Sequence, residues 1–178
     1  RFTNAGPPLT NCTFTSNNYG VWVEGSSTPV FTDCAIDSST YEPVMMSLVS
    51  TPTFTNVQFL GNGYTALGVI SETIAQDLRW PIRSVSGRQN MPYMLSGQLT
   101  IGLGSTVSLQ PGLIVKFRST NARISVQRAF LAEGRTQPES LIVFTSYRDD
   151  FYGGDTDNST TAPAAGDWYY VQIEGTAI

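Results

Sequence analysis

Four aspartates crowd one short stretch of the chain: Asp149, Asp150, Asp155 and Asp157, with Gly153-Gly154 between them and Asp167 further on. Carboxylates on a glycine-bent loop suit Ca²⁺, a hard cation that takes roughly six to eight oxygen ligands. Backbone carbonyls freed by the glycines would add to the shell. The spacing is neither that of an EF-hand nor that of the nonapeptide Ca²⁺ repeat. The competing reading is a solvated loop whose aspartates cap turns and accept from nearby amides. Ca²⁺ is thus the one cofactor the sequence suggests, and nothing in it requires one.

The cations offer a second chemistry. Lys116 is the only lysine, and there is no histidine. Lys116 and Arg118, with Arg123 and Arg128 following, would form a basic stripe for acidic sugars if they face outward. Cleavage needs more. A glycosidase uses two facing carboxylates about 5–9 Å apart. Asp33 and Asp37 are close in sequence, but no second acidic cluster falls beside them. No catalytic residue is assigned. Isolated charges on a sheet face also guard against unwanted strand pairing.

Aromatic residues give a third possibility. Tyr19, Trp22, Tyr41 and Tyr64 recur near equivalent points of successive segments. Trp22 lies between Val21 and Val23, so alternation turns it outward. Together with Tyr19, Lys116 and Arg118 it defines an expected ligand or partner surface; otherwise the tyrosines cover edges. Cys12 and Cys34 occupy equivalent positions. A bond between stacked neighbours has marginal geometry, and two buried thiols behaving as small hydrophobes are the simpler arrangement.

These positions are equivalent because the chain repeats. Leu9-Thr10-Asn11-Cys12-Thr13-Phe14, Phe31-Thr32-Asp33-Cys34-Ala35-Ile36 and Phe54-Thr55-Asn56-Val57-Gln58-Phe59 align at offsets of 22 and then 23 residues. A second run follows each: Val21-Trp22-Val23, Val44-Met45-Met46 and Leu67-Gly68-Val69. The period is that of a solenoid. Short alternating runs separated by polar corners describe the coils of an all-β, right-handed, single-stranded parallel β-helix. Leu9, Cys12 and Phe14 and their equivalents point inward, and Thr10, Thr32 and Thr55 form an outer ladder. Asn11, Asp33 and Asn56 fall on one bend, where Asn and Asp tolerate left-handed geometry.

Three regions follow. Residues 1–70 carry the 22–23-residue period. Residues 71–98 read as an irregular connection, with a short helical turn expected at 72–78. Residues 99–178 read as a second β-helix module with an acidic, Gly-rich loop at 149–167. In that module Leu113, Val115 and Phe117 share one face, and Ile114 and Lys116 the other.

The second half carries Leu99-Thr100-Ile101, Val107-Ser108-Leu109-Gln110-Pro111-Gly112, Val115-Lys116-Phe117, Leu131-Ala132-Glu133-Gly134 and Ile142-Val143-Phe144-Thr145-Ser146. Asp149-Asp150, Gly153-Gly154-Asp155-Thr156 and Gly166-Asp167-Trp168 follow, and Trp80-Pro81 and Pro92-Tyr93 lead in. Over about residues 78–173 this resembles a module of large bacterial surface and secreted proteins with parallel β-helix repeats. The resemblance implies fold and a place outside the cell, but no particular activity. Tyr169-Tyr170 departs from the usual small residues and suggests a local surface contact.

Composition narrows the function. Charged residues make up 13% of the chain and the formal net charge is -4. That balance offers no electrostatic attraction to nucleic acid or anionic membranes. No apolar run approaches the ~18 residues that would insert in a bilayer. The chain starts at Arg1 in a strand-like run and stops in another, as an internal or mature piece would. Its end coils would dock on neighbouring β-helix modules or on copies of itself. The expectation is an extracellular or cell-surface structural and adhesive unit of a stalk, filament or array, the alternative being a module that binds or cleaves polysaccharide.

Overall fold

The computed structural model describes residues 1–135, 137 and 140–174. Short strands succeed one another around a common axis. The first rung holds β1 (Phe2–Thr3), β2 (Pro8–Thr10) and β3 (Thr13–Thr15). The second holds β4 (Val21–Glu24), β5 (Val30–Thr32) and β6 (Ala35–Asp37), and the third β7 (Val44–Met46), β8 (Thr53–Thr55) and β9 (Gln58–Leu60). Next come β10 (Leu67–Val69), β11 (Glu72–Ile74) and β12 (Leu78–Trp80), then β13 (Tyr93–Leu95), β14 (Gln98–Ile101) and β15 (Thr106–Leu109). The sixth rung holds β16 (Ile114–Phe117), β17 (Arg123–Val126) and β18 (Ala129–Leu131); β19 (Val143–Ser146) and β20 (Tyr170–Ile173) open another.

Every ladder between these strands is parallel and joins a strand to its equivalent on a neighbouring rung, which makes the molecule a β-helix of about six turns. The register is the one the repeats predict. Leu9 aligns with Phe31 and Phe31 with Phe54; Phe14 aligns with Ile36 and then Phe59; Val21 aligns with Val44 and then Leu67. Like stacks on like because each coil inserts the same residue type into the same slice of the core. Phe31 is fully buried, stacks on Phe54 at 5.5 Å between centroids, and meets Phe2 and Phe14 edge-on.

The bends are equally regular. Asn11, Asp33 and Asn56 adopt φ of 54°, 53° and 50°. Asn56 Nδ2 donates to Asp33 Oδ1 at 2.7 Å, so the corner side chains form a ladder of their own. A second ladder of left-handed corners, Ser16, Ser38 and Gly61, follows β3, β6 and β9; it is masked in sequence by the mixture of residue types.

One seven-stranded sheet, β1-β4-β7-β10-β13-β16-β19, runs the length of the molecule. The other faces change midway. Sheets β2-β5-β8 and β3-β6-β9 stop at the third rung, and β11-β14-β17-β20 and β12-β15-β18 begin at the fourth. Here the expected irregular connection over 71–98 needs correction. Residues 72–74 and 78–80 are strands, not a helical turn, and 93–95 is a strand of the long sheet. Ile74 and Trp80 are buried, and their partners Ile101 and Leu109 lie a full rung later. That distant pairing overrides the local pattern.

The irregular part is confined to 81–92. It caps the edge where two sheets stop. Val85 and Arg88 form a small antiparallel bridge around Ser86-Gly87, and Val85 packs into the core. Ser86 Oγ accepts from the Phe59 N–H at 2.9 Å, and the Arg83 guanidinium donates to the carbonyls of Pro52 and Ser50.

Candidate functional site

The outer face of the long sheet gathers most of the residues singled out above. Its central outward column runs Trp22, Met45, Gly68, Met94, Lys116, Thr145, one residue per rung. Gly68 is the gap in it. A Cβ there would sit 2.9 Å from Met45 Sδ and 3.2 Å from Glu42 Cγ. Its absence lets both side chains lie flat across the sheet. Glu42 is fully buried as a result.

Glu42 organises the face. Its Oε1 accepts from Arg118 Nε at 3.1 Å, with side-chain exposures of 0% for Glu42 and 14% for Arg118. Burial raises the Glu42 carboxyl above its ordinary range, against the pull of Arg118. Its Oε2 is buried without a hydrogen-bond partner among the described residues. The Arg118 guanidinium lies 4.6 Å from the Tyr64 ring centroid and 5.2 Å from that of Tyr41, within cation–π range. Tyr41 stacks on Tyr19 at 5.0 Å, and Tyr19 meets Trp22 edge-on at 5.3 Å. Tyr64 meets Tyr147 at 6.1 Å. The Trp22 indole N–H donates to Glu24. Burial, and then the nearby Glu42 charge, raise the Tyr19 phenol. The outcome is a continuous row of half-buried rings across several rungs, tied through one arginine to one buried acid.

Tyr19, Trp22 and Arg118 therefore share this face, as the sequence suggests, although Arg118 is packed between rings and does not stand free. Lys116 does not join them. It points outward from the sheet, but the loop after β19 folds back over it and buries it completely. Its Nζ donates to Asp149 O at 2.7 Å, Gly154 O at 2.8 Å and Thr156 Oγ1 at 3.1 Å. Burial pushes its pKa down to about 8, opposed by Asp149 and Asp150. Gly153 and Gly154 have φ of 76° and 69°, and this left-handed pair turns the loop down onto the sheet. Arg88 holds it from the side by donating to the carbonyls of Gly153 and Asp155, and Thr65 N–H donates to Thr156 O. Among the described residues the expected basic stripe is therefore absent from this face. Arg123 sits on another sheet, bonded to Gln98, and Arg128 is exposed beyond it.

The acidic loop divides. Asp149 accepts from Thr145 Oγ1 and from the N–H groups of Phe151 and Tyr152, so it caps the turn. Asp150, Asp155 and Asp157 each place a carboxylate oxygen within 4.8 Å of the others. Burial, then the charges of Asp155 and Asp150, raise the Asp157 carboxyl. Cys12 and Cys34 are both free thiols on neighbouring rungs. Asp33 lies at the bend before β6 and Asp37 closes β6, so neither belongs to the long sheet. Tyr169 is exposed at 59% beside Tyr170, and the Arg123 guanidinium lies over its ring.

Sequence reasoning missed Glu42, Met45 and Tyr147 as members of the face. Only the glycine that interrupts the Trp22–Met45 column hints that something lies across it.

Residues 2–75 match the family model of the right handed beta helix region. The fold is accordingly a right-handed parallel β-helix. No curated protein and no solved structure matches the chain.

Proposed function

We propose that this chain is a stretch of extracellular β-helical scaffold with an adhesive outer face. It joins further coils into a stalk, filament or surface array, and it presents the ring row of the long sheet to a polysaccharide. The observation that carries the reading is the run Trp22–Tyr19–Tyr41–Arg118–Tyr64–Tyr147. Half-exposed Tyr and Trp offer an apolar ring and a polar tip at little entropic cost. The ion pair with Glu42 fixes Arg118, so the rings are organised before a ligand arrives.

A glycan array probed with the chain tests the adhesive part. Binding that falls about tenfold in Trp22→Ala and Tyr64→Ala supports it, a loss of about 1.4 kcal/mol. No bound glycan overturns it. The scaffold part rests on the regular stack of parallel rungs along one axis. Residues 175–178, where the sequence suggests a corner and another strand, lie outside the described residues. Imaging should show particles associating end to end; compact, monodisperse monomers contradict this.

A cleaving module is the second reading; the acid nearest the ring row is Glu42, fully buried and paired with Arg118, with a carboxyl raised by burial. Release of reducing ends that is lost in Glu42→Gln would establish it over simple adhesion.

A further inference from the structure

Sheets β2-β5-β8 and β3-β6-β9 end within the chain, on their third strands. The hydrogen bonds of the lower rungs show what those last strands leave open. Asn11 N–H donates to Thr32 O, and Asp33 N–H donates to Thr55 O, each at 3.0 Å. Asn56 is the third member of that series, and its N–H faces where a fourth rung would lie. Ala35 N–H donates to Cys12 O at 2.9 Å and Gln58 N–H to Cys34 O at 3.0 Å. Val57 C=O is the third member of this series. Thr53 N–H and Thr55 O both face β5, so the N–H and C=O of Phe54 between them alternate to the open side.

At Phe59 the chain provides its own substitute, since Ser86 Oγ accepts that N–H. Arg83 does the same at the start of the edge, where its guanidinium donates to the Pro52 and Ser50 carbonyls, and among the described residues the groups of Phe54, Asn56 and Val57 between these two caps have no such substitute. Beside it runs a groove of about 600 Å³, with Phe54, Asn56, Val57 and Leu60 on one wall and residues 84–89 on the other. Leu60 is 46% exposed along it. No residue from Phe54 to Leu60 is charged, so this edge lacks the lysines and inward charges that usually blunt strand addition.

We propose that this internal edge takes an extended peptide as a parallel fourth rung, by strand addition. The same ladders specify the side chains. An aromatic residue at the first position continues the Phe31–Phe54 stack. Asn at the bend adopts the left-handed corner and extends the Asn56–Asp33 amide ladder. An apolar residue after the bend lies over Val57. The partner is thus a segment of the form aromatic-Thr-Asn-apolar-polar-aromatic, the pattern of the chain's own coils. Main-chain bonds to Phe54, Asn56 and Val57 supply affinity, and Leu60 offers apolar contact at the far end.

The test uses the intact chain and a fluorescent peptide, Pro-Thr-Phe-Thr-Asn-Val-Gln-Phe-Leu-Gly, copied from residues 52–61. Saturable binding is expected, with amide resonances of Phe54 and Asn56 shifting and their hydrogen exchange slowing. N-methylation of the peptide at its second Thr and its Gln removes the donors to Phe54 O and Val57 O and should weaken binding at least tenfold. N-methylation at its first Phe, whose N–H points away, should leave binding intact. Equal binding by all three peptides overturns the proposal. So does binding that shifts β20 amides but not Phe54 and Asn56, or no binding at about 1 mM peptide, the limit of a weak specific contact.

Discussion

Lys116 Nζ lies 2.8 Å from the Gly154 carbonyl oxygen, a residue 38 positions later in the chain. The one lysine of the molecule is therefore the peg on which the acidic loop hangs. Lys116→Met should free the loop more than it disturbs the rungs. Truncation leaves the carbonyls of Asp149 and Gly154 without their donor, at about 1–3 kcal/mol for each buried acceptor. Limited proteolysis should then cut between residues 149 and 157 while the β-helix core stays protected. An uncut loop would contradict the peg.

The same residue predicts a pH dependence. Burial lowers Lys116 from its ordinary 10.5 to about 8. Between those values the unfolded chain holds the proton that the folded chain has lost, so stability rises with pH across that window. Below about 8 both states are protonated and the term is constant. The melting temperature of the chain, minus that of Lys116→Met, should therefore increase from pH 8 towards 10.5. A flat or falling difference would show that the three acceptors keep the ammonium charged.

The corner ladder makes a sharper test of local strain. Asn56 has φ of 50° and bonds Asp33. Asn56→Ala keeps a β-carbon in left-handed geometry, which costs a residue without a short polar side chain about 1–2 kcal/mol, and it removes the amide bond as well. Asn56→Gly should recover most of the loss. If Ala and Gly variants melt together, backbone strain is not what selects asparagine there.

Calcium is a prediction of the loop. The carboxylates of Asp150, Asp155 and Asp157 already converge, and a divalent cation would relieve the repulsion that helps raise Asp157. Saturating Ca²⁺ should raise the melting temperature, by about 2.7 kcal/mol of stability at a hundredfold excess over Kd. Asp155→Asn should abolish the gain. Melting that ignores both Ca²⁺ and chelator would leave the loop held by Lys116, Arg88 and Thr65 without a metal.

Most of the coil geometry was legible because it repeats. Phe31 over Phe54 and Asn56 over Asp33 follow from counting 22 or 23 residues, and each match reinforces the next. The break at 71–98 was not legible. Ile74 and Trp80 look like parts of a mixed segment until Ile101 and Leu109 arrive to pair with them. The candidate face fails for a different reason. Alternation correctly turns Lys116 outward, but outward is not exposed, and the covering loop comes some 30 residues later in the chain. Arg118 and Glu42 are 76 residues apart, and no local pattern announces their meeting.

The proposed contact face can be tested directly through the three indole N–H resonances of the chain. Trp80 is buried in the core and Trp168 stacks on Phe117, so both serve as internal references, while Trp22 borders the ring row. Titration with an oligosaccharide that the array identifies should move the Trp22 signal and leave the other two in place. A titration that moves none of them, or all three alike, would contradict the assignment of this face as the contact surface.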